Sequence, residues 1–336
     1  TTNLDVVDID GAVDMASTLT LAGNADFNGN LDVDGTTDLD GLTVAGNLSV
    51  DGGTIKLDGN YPTGTNNVAL GDIALADGSL SGGNNTAIGR SSLYSNTSGA
   101  NNTGIGSGAL ENNTTAASNT AVGYHSLLAN TTGADNVAVG ATSLDANTTG
   151  AENVAVGKSS LTGNTTGDFN TAVGENALAN NTTADNNTAI GRRAMLANTT
   201  GTGGVAVGTS ALAANTTGDY NIAIGLNALD ENTTGTQNTA LGLSCLGSNT
   251  TGGFNNALGV GALANNTTAG NNTAVGHSAL NANTTGGLNT AVGAFALESN
   301  TTGEFNVAMG YEALEENTTA DSNSAFGYRA LTANTT

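Results

Sequence analysis

The sequence predicts an all-β chain: an elongated parallel β-solenoid, or β-roll, of 17-residue coils, preceded by an interwound triple β-stranded shaft, together a homotrimeric fibre. Three observations carry that expectation. The phrase N-T-A-V-G-x-x-A-L-x-x-N-T-T-G-x-x restarts fifteen times without a change of frame between Asn85 and Asn323. A fixed short period is the mark of a chain that coils and buries each coil against its neighbours. Residues 1–60 obey a second, shorter rule, apolar-x-apolar-x-Gly. Finally, with 49 Gly, one Pro and only 4% aromatic residues the chain cannot build a large aromatic core, yet 38% hydrophobic content is too high for simple disorder. Many thin cores stacked in series reconcile the two.

The first element, residues 1–60, repeats units such as Val7-Ile9-Gly11, Leu31-Val33-Gly35 and Leu48-Val50-Gly52. Alternation puts both apolar residues of a unit on one strand face, and glycine permits the turn that follows. Two apolar side chains per short unit are too few to offset an ordering cost of roughly 1.5 kcal/mol per residue. Three ribbons pooling their apolar faces about one axis would solve the shortage, so the shaft is expected to be trimeric. A joint at 61–66 follows, holding Pro62 beside glycine, a pairing that interrupts strand structure.

The second element, 67–336, is the solenoid. It begins imperfectly at Asn67, takes one extra residue, and holds frame from Asn85. Counting each coil from its first Asn, column three is Ala (Gly104 once), and column four is Val, Ile, Leu, Met309 or Phe326. Column five is always Gly, column eight is Ala, Ser or Cys245, and column nine is Leu except at Met195. All five are expected to face inward. Asn recurs in column one, replaced once by Gly204, and in column twelve, where Thr-Thr follows it. Stacked at a rise of about 4.8 Å, asparagines can donate and accept along a ladder, and they suit corners. The ladder is preferred to the alternative reading of N-T-T as a glycosylation sequon, because the frame itself requires these asparagines.

Columns six and seven accept almost any residue, including Tyr124-His125, Arg192-Arg193, Tyr311-Glu312 and Tyr328-Arg329. A second variable pair precedes column one, as at Asp168-Phe169, Asp219-Tyr220 and Glu304-Phe305. These open columns are where recognition along the coils is expected, with Tyr124, His125, Phe169, Tyr220, Phe305, Tyr311 and Tyr328 as the candidate surface residues.

A formal charge of −23, from 29 acidic and 6 basic residues, argues against nucleic acid as a partner, and no apolar run is long enough to insert into a membrane as a helix. One cysteine excludes a disulfide scaffold. No catalytic constellation, cofactor site or phosphate loop is expected. Asp-x-Asp-Gly at Asp8-Asp10-Gly11, Asp32-Asp34-Gly35 and Asp38-Asp40-Gly41 lacks the remaining ligands of a calcium loop, so a solvated acidic face is preferred. Such Asp columns leave open weak divalent-cation binding. Starting without Met and stopping inside a repeat at Thr336, the sequence is read as part of a longer chain.

The spacing of NTAVG, AL and NTTG resembles repeats of bacteriophage tail fibre proteins, and NTAVG is similar to the head repeats of trimeric autotransporter adhesins. The coil here is longer than the adhesin heads use, so handedness does not transfer. The resemblance implies a non-enzymatic structural fibre: a phage tail or appendage fibre extending from the virion, joined to tail or baseplate proteins, and attaching to a glycan or protein receptor on the host surface. A bacterial trimeric surface adhesin or extracellular filament subunit is the alternative, and an ice-binding solenoid the third. A virion, extracellular or cell-surface location follows from each of the first two.

Overall fold

A computed structural model describes residues 65–76 and 80–335. The shaft, and the joint apart from its last two residues, lie outside the described residues, as do the Asp-x-Asp-Gly motifs. Within the described part each coil contributes one three-residue strand. β1 is Val68–Leu70, β2 is Thr86–Ile88, and the series ends at β16, Ser324–Phe326. The sixteen strands form a single sheet in chain order. All pairings are parallel: Val68 lies opposite Thr86, an offset of 18 residues that absorbs the extra residue of the first coil. From β2 onward the offset is 17, as where Thr171 meets Thr188.

The strands are short because the coil turns sharply on both sides of them. β-branched residues in columns two and four favour the extended segment. Column five then takes φ values between 125° and 143°, a region closed to residues with a Cβ. A Cβ on Gly174 would also fall 2.6 Å from the carbonyl oxygen of Gly191 in the next coil, so the glycine column is fixed by backbone approach as well as by φ.

Each coil makes three further corners with positive φ, in columns seven, nine and seventeen, as at Ser159, Leu161 and Phe169. Backbone hydrogen bonds to neighbouring coils continue round the corners. Gly157 N–H bonds Val139 O at 2.7 Å, Leu161 N–H bonds Ala177 O at 2.9 Å, and Thr165 N–H bonds Thr182 O at 2.9 Å. The coil is therefore tied to its neighbours nearly all the way round, although only columns two to four are extended enough to count as strand.

The core holds three apolar columns. Alanine of column three, the small residue of column eight and leucine of column nine are buried; Ala172, Ala177 and Leu178 form one such set. Cys245 serves in column eight as expected, fully buried with its Sγ 3.2 Å from Ala257 O. Burial pushes its thiol up to about 12, which keeps it protonated and unreactive. Column four corrects the sequence expectation. Its side chains face out, because successive side chains of a strand point to opposite faces and column three already points in. Met309 and Phe326 are thus outward residues, and their bulk adjusts no core volume.

The other side of the coil interior is built from amides. In column twelve, Asn164 donates through Nδ2 to Asn147 Oδ1 at 2.9 Å and to Gly167 O at 3.0 Å, while its own Oδ1 accepts from Asn181 at 2.8 Å. In column one, Asn153 Oδ1 accepts the backbone N–H of Asn170 at 2.9 Å, and Asn170 Nδ2 reaches Ala184 O at 2.8 Å. Both ladders are buried, and among the described residues no buried side-chain nitrogen or oxygen lacks a partner. The ladder reading of N-T-T stands, and the amide a glycan would need is inside the coil.

Two exceptions to the repeat explain each other. Gly204 stands where Asn is the rule, and a Cβ there would lie 2.7 Å from Cε of Met195, itself the one departure from leucine in column nine. The longer methionine occupies the room the asparagine side chain would need, while Gly204 N–H still bonds Asn187 Oδ1 at 2.8 Å. At Gly104 the space of the missing alanine methyl is taken by Ser92, whose hydroxyl donates to Gly104 O at 2.9 Å.

Candidate functional site

Outward residues fall into continuous columns, and their chemistry differs from column to column. Columns six and seventeen are the open ones. Phe169, Tyr220 and Phe305 in column seventeen are each more than half exposed, and so is Tyr124 in column six. Tyr328 reaches 72% exposure and Tyr311 stands exposed beside it. His125, expected to face solvent, is only half-buried, because its ring lies over Gly108 of the preceding coil. Its ring stacks on Tyr124 with centroids 3.7 Å apart.

The structure does not bring the seven candidate residues together. They divide among three columns and spread over many coils: Tyr124, Tyr311 and Tyr328 in column six, His125 in column seven, and Phe169, Tyr220 and Phe305 in column seventeen on the other side of the strand. Only near the C-terminal end do aromatic rings on successive coils touch: His277 meets Phe295 edge-on at 5.1 Å, Phe295 meets Tyr311 at 5.8 Å, and Tyr311 stacks on Tyr328 at 5.6 Å. Phe254 and Leu288 stand exposed in column seventeen and were missed in the sequence reading, as was Phe295, which is half-buried in column seven. The rule that found Phe169 and Tyr220, an aromatic residue in a variable column, finds Phe254 and Phe295 too.

Column seventeen carries its aromatics at a backbone cost. Phe169, Tyr220, Phe254 and Phe305 take φ between 55° and 61°, where bulky residues are uncommon. Gly203 fills the same column at φ 66°, the residue that the conformation favours. Phenylalanine or tyrosine at such a corner contributes nothing to the core, which places its contribution on the surface.

Charge along these columns is sparse. Arg329 Nε lies 2.9 Å from Glu312 Oε2. Tyr311 is held above its usual pKa by its hydrogen bond to Glu312, so it stays an uncharged donor. Glu298 is raised first by burial and then by Glu315 nearby, and Asp230 is raised by burial. Among the described residues no group of three or more His, Cys, Asp or Glu is placed to hold a metal ion, and no enclosed pocket opens. No helix among them is long and apolar enough to cross a membrane.

Threonine forms two unlike columns. Thr165 in column thirteen turns its hydroxyl to Thr182 O at 3.0 Å and so joins the coil-to-coil bonding. Thr166 in column fourteen is exposed. Neither column lies in a strand, and in the coils starting from Asn102 to Asn306 column fourteen is always threonine.

Column four presents different chemistry. Ile88, Ile105, Val139, Ile190, Ile224, Leu241, Leu258, Met309 and Phe326 are exposed, with Ile88 at 37% and Leu258 at 45%; the remaining valines are half-buried. No ionisable residue occupies column two or four in any coil from Thr86 to Phe326. Comparison with protein-family models and with curated proteins gives no match for this chain.

Proposed function

We propose that this chain is a structural fibre protein, a homotrimeric phage tail or appendage fibre that extends from the virion and attaches to the host surface. The observation that supports it is the division of labour within one coil. A constant frame of Ala, Leu, Gly and Asn propagates a sheet of sixteen strands, while columns six and seventeen carry exposed aromatic residues on that frame. At about 4.8 Å per coil the sheet spans about 72 Å, a length suited to reach. Exposed aromatic rings with polar tips, such as Tyr124, Tyr220 and Tyr328, suit adhesion to a glycan or protein receptor because they present apolar area and a hydrogen-bonding group together. The charge of −23 keeps such a surface soluble.

Antibodies raised against the purified chain test this reading by electron microscopy. Label on the tail appendages of virions, with purified chain competing for adsorption to the host, is the expected result. Label on cell-attached fibres in the absence of virions would replace it with the bacterial adhesin reading.

A further inference from the structure

Column four is constant in character without a reason inside the coil. The solvent-facing columns six and eleven drift freely among Arg, Glu, Tyr, Ser, Gly and Leu, yet column four stays Val, Ile, Leu, Met or Phe in every coil. Parallel sheets are ordinarily covered on both faces, and here the alanine face is covered by the chain itself while the other is not. The face is about 72 Å long and about 10 Å wide, close to 700 Å², with column four apolar throughout and column two beside it mostly threonine. Contiguous apolar patches of a few hundred Å² already mark interaction surfaces, and about 800 Å² per partner makes a standard stable interface. In three successive coils Leu226, Leu243 and Val260 of column six widen the strip further.

We propose that the column-four face is the contact between copies of this chain, packed parallel, in register and strand face to strand face around a common axis. A second copy is the occupant that fits. Only a surface with the same coil rise can meet the strip at every step, and a rotation axis along the solenoid sets each coil opposite its own equivalent. Two chains of charge −23 repel one another, and columns two and four are a strip along which neither carries charge. Columns six and seventeen then flank the buried strip and stay open for attachment. The inference rests on the self-association of the fibre reading and specifies where the copies touch.

The test uses the full chain with a photo-cross-linking residue, p-benzoyl-phenylalanine, in place of Val173 in column four or Thr166 in column fourteen. Phe326 shows that column four accepts an aromatic side chain. Irradiation of the Val173 variant is expected to join chains covalently, several-fold more than the Thr166 variant, with the cross-linked peptide mapping to a strand of a second copy. Native mass by light scattering on the unmodified chain accompanies it. A mass that is a multiple of 32.7 kDa with no preference for Val173 would overturn the column-four contact and leave the fibre reading standing. A mass of 32.7 kDa would overturn both the contact and the homotrimer. Cross-links from Val173 to an added protein in place of a second copy would also overturn it.

Discussion

Val173 and Glu175 sit two residues apart on one coil and both face out of it. In the columns they belong to, one keeps its chemistry through every coil and the other changes freely. Gly174 between them is constant for a third reason, the backbone of the next coil. Burial in the coil and close approach of backbones each hold a column constant, and to column four we assign a further source, contact with a second copy of the chain. Sequence alone records only that a column is constant; the direction in which the side chain points separates the causes.

Substitutions along the coil sharpen that separation. Gly174→Val places a branched side chain at φ 135° and 2.6 Å from a neighbouring carbonyl oxygen. Strain and overpacking together should cost about 4 kcal/mol, seen as loss of amide protection in the coils on either side. Leu178→Ala empties a fully buried site and should cost about 3 kcal/mol, read as a fall in local exchange protection. Asn164→Leu should cost about 2 kcal/mol, because it strands the buried Oδ1 of Asn147 and one N–H of Asn181.

The paired exceptions offer a test that crosses coils. Gly204→Asn alone should destabilise by about 1–2 kcal/mol through its clash with Met195. Combined with Met195→Leu it should recover most of that loss, since the pair restores the residues of the other coils. Additive effects in the double-mutant cycle would contradict the packing described.

The smallest effects belong to the outward pair. Glu175→Thr should change stability by less than about 0.5 kcal/mol at any protein concentration. Val173→Thr should lower the unfolding midpoint by an amount that shrinks on dilution, because a contact between copies stabilises by mass action. A loss independent of concentration would return column four to the coil's own energetics.

Much of the fold was legible in the sequence. The coil period, the extra residue in the first coil, and the amide ladders of Asn96 through Asn334 follow from spacing and from the hydrogen-bonding capacity of stacked asparagine. So does the burial of Cys245 among Ala and Ser. Column four was misread because an invariant aliphatic residue suggests a core, although alternation against Ala in column three already forces it outward. The positive-φ corners were hidden for a different reason. Leu161, Phe169 and Arg193 are poor residues for that conformation, and they adopt it because inter-coil hydrogen bonds over-determine the path. The coupling of Met195 to Gly204 needs the third dimension, since it joins column nine of one coil to column one of the next. For the candidate surface, variability pointed to columns six and seventeen, but it pointed equally to column seven, which is mostly half-buried. The separation of the open columns on two sides of the strand was not readable.

The claim on which all of this depends is that each repeat is one coil, stacked at constant rise. Electron-paramagnetic-resonance distances between spin labels on exposed column-fourteen threonines test it most directly, in a Cys245→Ser background diluted with unlabelled chain. Labels replacing Thr115 and Thr217 lie six coils apart and those replacing Thr115 and Thr251 eight coils apart. The stacking predicts separations of about 29 Å and about 38 Å. Separations that fail to grow with the number of coils between the labels would contradict it.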